Sequence, residues 1–153
     1  MNRILNNAVS LDGIELYNYD STRKEVEKLY CKYRAYKIKE DIISKRIKSS
    51  LSLDNLGIFS TTISDPTGSK VEQLQRYSDF IELIEKTYQA FSSELTPDEK
   101  IIYKKTLLNN MPDNEVMELL CLSNNTSYFN RKKSCYIKVA RWFDLEVYKD
   151  NNI

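Results

Sequence analysis

Apolar side chains recur at three- and four-residue steps through most of this chain, the signature of helices that each bury one face. Val26, Leu29, Tyr30, Tyr33, Tyr36, Ile43 and Ile47 predict a first helix over 23–49. Val71, Leu74, Tyr77, Ile81, Ile84, Tyr88 and Phe91 predict a middle helix over about 70–92. Ile101, Ile102, Leu107 and Leu108 mark another, ending near Asn109-Asn110. Val116, Met117, Leu119 and Leu120 fall in a short helix over 113–121, and a long last helix runs over 126–143. Three segments carry an S/T-x-x-E start: Thr22 to Glu25, Ser69 to Glu72 and Thr96 to Glu99. In such a box the hydroxyl accepts from the N3 amide while the glutamate reaches back to the cap amide. Pro97 adds a preset first-turn φ.

Between these helices the periodicity lapses. Residues 51–68 end in Asp65-Pro66-Thr67-Gly68, a turn signal, and Leu56, Ile58, Phe59 and Ile63 are expected to tuck onto the core. Ile14-Glu15-Leu16-Tyr17 alternates, but one short strand without a partner is not a stable element. Three glycines and three prolines leave little room for a turn-rich β protein. The expected fold is all-α: long N-terminal helices leading into a C-terminal helix-turn-helix. Residues 1–68 form a helical extension and connection, and residues 69–153 carry the middle helix and that motif.

The motif rests on spacing first. A short helix is followed by Leu122-Ser123-Asn124-Asn125, rich in capping side chains, and then by a long helix. Val116 and Leu120 fit the buried side of the short helix, Leu122 plugs the turn, and Tyr128 pins the last helix. Cys121 stands where a small residue, often glycine, precedes the plug. Two buried stripes fit the last helix equally: Tyr128/Cys135/Val139/Trp142 or Phe129/Tyr136/Ala140/Phe143.

Charge sharpens the picture. The chain is nearly neutral at +1, yet residues 21–50 hold ten basic and four acidic side chains, and residues 51–100 hold four basic and nine acidic. Two basic surfaces therefore flank an acidic helix. Between Ser123 and Phe143 there are five basic residues and no acid. The expected DNA contacts are Asn124, Asn125, Thr126, Ser127, Asn130 and Arg131 near bases, with Lys132, Lys133, Lys138 and Arg141 on phosphates. The first helix, densest at Lys45-Arg46-x-Lys48, reads either as a phosphate-tracking arm or acidic-partner contact, or as a solvated face. The eleven tyrosines suggest helix packing with hydroxyls at the rim.

Catalysis finds little support. The chain has no histidine for general-base work, no glycine-rich phosphate loop and no nucleophile motif. Three widely spaced cysteines without histidine make no standard zinc site, so no metal or cofactor and no small-molecule substrate are expected. They read as reduced, mostly buried thiols of a cytoplasmic protein, and no apolar run or leader suggests a membrane.

Leu95-Thr96-Pro97-Asp98-Glu99-Lys100 through Val139-Ala140 resembles region 4 of bacterial sigma factors, where such a start leads into a helix-turn-helix. Tyr128-Phe129-Asn130-Arg131-Lys132-Lys133, followed by Ile137-Lys138-Val139-Ala140, is similar to the ArpU/RinA-type phage transcriptional regulators. Val26 to Arg34 and the Asp65–Gly68 joint extend that likeness more loosely. The resemblance implies an all-α, sequence-specific regulator of phage late or packaging genes, of sigma-like or activator type. Double-stranded DNA would be the partner, with RNA polymerase docking or homodimerisation served by the N-terminal helices. The alternative is a packaging or structural adaptor similar to a small terminase subunit, which would assemble into rings.

Overall fold

A computed structural model describes residues 16–55 and 66–149. The expectations for Ile14, Leu56, Ile58, Phe59, Ile63 and Asp65 fall outside them. The described residues are all-α. Helix α1 spans Tyr19–Asn55 and α2 spans Pro66–Phe91, followed by a 3-10 turn at Ser92–Glu94. Helix α3, Pro97–Ile102, runs straight into a π-helical stretch, Tyr103–Leu108. Helices α4, Asp113–Leu119, and α5, Asn125–Trp142, complete the order. Among the described residues the only extended pairing is an isolated antiparallel bridge, Tyr17 with Tyr148. None of the described helices is long and apolar enough to cross a membrane.

The chain divides into two compact units by contact. One comprises the chain up to Tyr30 and from Tyr88 onward; the other comprises Cys31–Thr87. Each has its own packing logic.

The first unit is built around α5. Val26, Tyr30, Ile102, Tyr103, Leu107, Val116, Tyr128, Cys135, Tyr136, Val139 and Ala140 are essentially removed from water. An aromatic cluster closes this core: Tyr88 stacks on Tyr103 at 4.3 Å, and Tyr30 meets Tyr103 edge-on at 5.5 Å. Here a tyrosine hydroxyl sits in the core rather than at its rim, because Tyr30 donates to the Tyr103 hydroxyl oxygen at 2.8 Å. That bond satisfies two polar groups that burial would otherwise penalise. Ile102, at the end of α3, and Tyr103 and Leu107, within the π-helical stretch, are all buried, while Ile101, on α3 before that stretch, stays exposed. A widened turn adds one residue per cycle and so rotates the following side chains relative to an α-helical stripe.

Two of the three expected start boxes resolve differently. Helix α1 begins earlier than Arg23: Asn18 caps it, its Oδ1 accepting from the Ser21 amide at 3.1 Å. Thr22, expected as the cap, is buried one turn inside the helix, and its hydroxyl oxygen accepts from the Val147 amide at 3.0 Å. The terminal segment thus supplies what the sequence motif assigned to a local cap. Ser69 likewise lies within α2, which starts at Pro66, a position where proline's missing N–H costs nothing. Thr96 caps α3 as expected, accepting from the Glu99 amide at 3.3 Å. Glu99 does not reach back; its carboxylate turns into the core.

The second unit pairs α1 and α2 antiparallel, since contacts ascending one helix descend the other. Tyr33 donates to Glu85 Oε1 at 2.9 Å, Tyr36 packs on Tyr77 and Phe80, and Ser78 donates to Glu40 at 3.1 Å. Ile43, Ile81 and Ile84 fill the seam. Ile38, 62% exposed, and Leu83, 59% exposed, stand outside it.

Candidate nucleic-acid interface

Helix α4 stops by a mechanism that also sets the entry to α5. The Leu122 amide donates to the Met117 carbonyl at 3.0 Å and the Cys121 amide to the Glu118 carbonyl at 3.1 Å. This bond pair is the Schellman ending, whose residue after the cap takes the left-handed conformation that glycine prefers. Cys121 holds it here, with φ 54°. Leu122, the expected plug, is half-buried. Asn124 then caps α5, its Oδ1 accepting from the Thr126 amide at 2.9 Å. The turn between the helices is residues 120–124.

The register of α5 settles between the two stripes in an uneven way. Tyr128, Cys135 and Val139 are fully buried, and Tyr136 and Ala140 are buried as well. At the start of the helix only the first stripe goes inward, so Phe129 is left 47% exposed. Tyr128 is fixed by its hydroxyl, which donates to Asp113 Oδ1 at 2.7 Å. Burial, then that carboxylate, pushes the Tyr128 hydroxyl up from the usual phenol range.

Most of the cations assigned to DNA are engaged within the protein. Arg131 is ion-paired with Asp98 in the first turn of α3. Lys132 is only 7% exposed, donates to Asp113 Oδ1 at 2.9 Å, and has its ammonium over the Tyr136 ring. Lys138 donates to Glu99 Oε1 at 2.9 Å and to the Glu94 carbonyl at 3.1 Å. All three acids sit in the first turn of α3 or α4, where a carboxylate is also favoured by the helix dipole. The basic count of α5 therefore reflects in large part how it is fastened to two neighbouring helix starts. Arg141 donates to the Tyr17 hydroxyl at 3.3 Å, and Lys133 lies over the ring of Tyr19. Burial holds the Tyr19 hydroxyl up to about 12, so the ring stays neutral beneath that cation.

What remains outward is a compact set. Asn125, Thr126, Phe129 and Asn130 are exposed, and Lys133 is half-buried. Their steps i, i+1, i+4, i+5 and i+8 put them on one side of the helix. The side chains of Asn125, Thr126 and Asn130 hold no hydrogen bond among the described residues, and α5 carries no acid. Ser127 is half-buried beside this arc, and Asn124 is committed to its cap. The structure thus brings Asn125, Thr126, Asn130 and Lys133 together, while Arg131, Lys132 and Lys138 each pair with an acid of α3 or α4. Phe129 was missed from the sequence; choosing the Tyr128/Cys135/Val139 stripe is the signal that would have placed it outside.

A concavity of about 430 Å³ is lined by Met111, Glu115, Glu118 and Leu119. Its two carboxylates make it a poor seat for a phosphate backbone. Among the described residues no cluster of His, Cys, Asp or Glu could hold a metal ion. Comparison of the chain with family models, curated proteins and solved structures finds no match.

Proposed function

We propose that this protein binds duplex DNA through a helix-turn-helix formed by α4 and α5, with the exposed arc of α5 in the major groove. The observation that carries the reading is the arc itself: unspent amide and hydroxyl side chains, one cation and no acid on the leading half of a braced helix. Asparagine pairs bidentately with adenine N6 and N7, and threonine offers a hydroxyl and a methyl to base edges. The α5 start, capped by Asn124, also offers amides suited to a phosphate. The sigma region 4 and ArpU/RinA resemblances favour a transcriptional regulator over other DNA-binding roles. In this reading Arg131, Lys132 and Lys138 brace the motif, and base readout passes to Asn125, Thr126 and Asn130.

The test is selection of duplexes from a random pool, with wild type and Asn130→Ala compared. Wild type is expected to enrich a defined sequence, and Asn130→Ala should lose about 1–3 kcal/mol on it and relax one position. Lys133→Ala should weaken all duplexes alike. Because Lys133 and Arg141 are the α5 cations that hold no acid among the described residues, α5 contributes little to the salt dependence, at about −0.9 in log K per phosphate contact. No enrichment, together with equal duplex affinity for wild type and both variants, overturns the reading.

Exposed Ile38, Ile42 and Leu83 in the two-helix unit keep a second reading in view, an oligomeric packaging or structural adaptor. Mass in solution separates them: a ring would weigh many times the 18.0 kDa of one chain.

A further inference from the structure

Phe129 is the one large apolar side chain within the outward arc of α5. Its ring is 47% exposed yet not loosely held, since it meets the Tyr128 ring edge-on at 5.2 Å and 69°. Tyr128 in turn is fully buried and bonded to Asp113. A single exposed phenylalanine is ordinary on a protein surface. This one is set apart by its neighbours: Asn125 one turn before it, Asn130 next to it and Lys133 one turn after, with no acid anywhere on the helix. Amides beside an apolar ring match one kind of groove edge well. An adenine·thymine pair presents N7 and N6 on one base for an amide and the C5-methyl on the other for an apolar side chain.

We propose that Phe129 reads thymine, by packing its ring on the C5-methyl of a base next to an adenine contacted by Asn125 or Asn130. This rests on the DNA-binding reading above and deepens it from duplex DNA to an A·T-containing core element. It gives the arc a sequence preference that no cation on the helix would supply. Lys133 adds attraction for the backbone without choosing a base.

The test uses the full chain and duplexes recovered by the selection, each thymine of the enriched core replaced in turn by uracil, which lacks only the methyl. Wild type should lose roughly three- to tenfold in affinity at one or two positions, the scale of one buried methyl and its ring contact. Phe129→Ala should lose a similar factor on the thymine duplex and show no further loss on uracil at those positions. Phe129→Leu should keep part of the discrimination. Phe129 is exposed, so both variants should retain the thermal midpoint of wild type, and that measurement accompanies the affinities. Indifference of wild type to uracil at every position overturns the proposal, as does a uracil penalty that persists unchanged in Phe129→Ala. Either result with duplex binding intact leaves the DNA reading standing. Failure of wild type to bind any duplex overturns both.

Discussion

The two compact units both hold many cations, and they spend them differently. In the first, α5 hands Arg131, Lys132 and Lys138 to Asp98, Asp113 and Glu99, and the last of these carboxylates is only 3% exposed. In the second, Lys32 and Lys39 lie over Phe80 and Tyr77, Lys37 shares the half-exposed Glu85 with Tyr33, and Lys45 pairs with Asp41 one turn away. Read as charge along the chain, the two basic stretches look alike. Read as structure, the first unit fixes helix starts through three pairs, two of which, Lys132–Asp113 and Lys138–Glu99, have a buried partner while Arg131–Asp98 is partly exposed, and the second decorates a helix pair through exposed ones. A desolvated pair fails expensively when one partner is removed, whereas an exposed pair contributes little either way.

The sharpest way to break that contrast is Lys138→Ala. It strands Glu99 as a buried carboxylate whose Oε2 already lacks a partner among the described residues. We expect a loss of about 3 kcal/mol in urea unfolding, toward the lower end for a broken buried pair because Lys138 retains some solvent access. Adding Glu99→Leu to Lys138→Met should recover most of it, since matched apolar replacement removes both the charge and its desolvation. If Lys138→Ala instead leaves stability unchanged and weakens duplex binding, Lys138 is a phosphate contact and the contrast between the units fails.

Of intermediate size is the effect of Cys121→Gly. A non-glycine residue at φ 54° stores conformational strain, and the Schellman bonds hold Cys121 there regardless. The variant should gain about 1 kcal/mol, reduced somewhat by the greater freedom of glycine in the unfolded chain. Because Cys121 is exposed, no packing is lost. A thiol-labelling measurement on the same protein adds a check on the core. Cys31 and Cys121 should react in the native state, whereas Cys135 is fully buried and its thiol is pushed far up by that burial. Prompt labelling of all three cysteines in native protein would contradict the packing of α5 on α3.

These cases show which parts of the molecule the sequence made legible. Helix number, the α4–α5 turn and the Thr96 cap follow from local chemistry, and local chemistry is what a sequence displays. Cys121 could even be flagged as an odd occupant of its position. The start of α1 was misplaced because Thr22 bonds to Val147, far away in sequence, in place of its own helix. Ile101 and Ile102 are adjacent apolar residues on α3, and only Ile102 is buried. The candidate interface was the least legible part. Lys132 and Lys138 look like solvent-facing cations until the acids of α3 and α4 are brought against them. Phe129 looks like core until Tyr128 takes the inward place. Both arrangements come from tertiary neighbours, which composition and spacing do not encode.

The smallest effect lies in the second unit and concerns Glu85. The Lys37 ammonium, and after it the Tyr33 hydroxyl, bond its carboxylate and hold it below the ordinary glutamate value of 4.5, against the opposing pull of burial. A depressed folded pKa means that this stabilisation is complete above the unfolded value and is lost as pH falls through the folded one. Lys37, raised above 10.5 chiefly by the same bond to Glu85, gives the opposite edge: its share is complete below 10.5 and is lost as pH rises through its folded value. The two side chains are about half exposed, so solvent screening limits the pair to about 0.5 kcal/mol. Glu85→Gln should therefore lower the thermal midpoint slightly at neutral pH, and the gap to wild type should close as the pH drops below the usual carboxylate range. Salt should narrow the gap as well, because an exposed pair is screened. Should the gap match the Lys138→Ala loss in size, or ignore both pH and salt, the second unit would be holding its cations as tightly as the first.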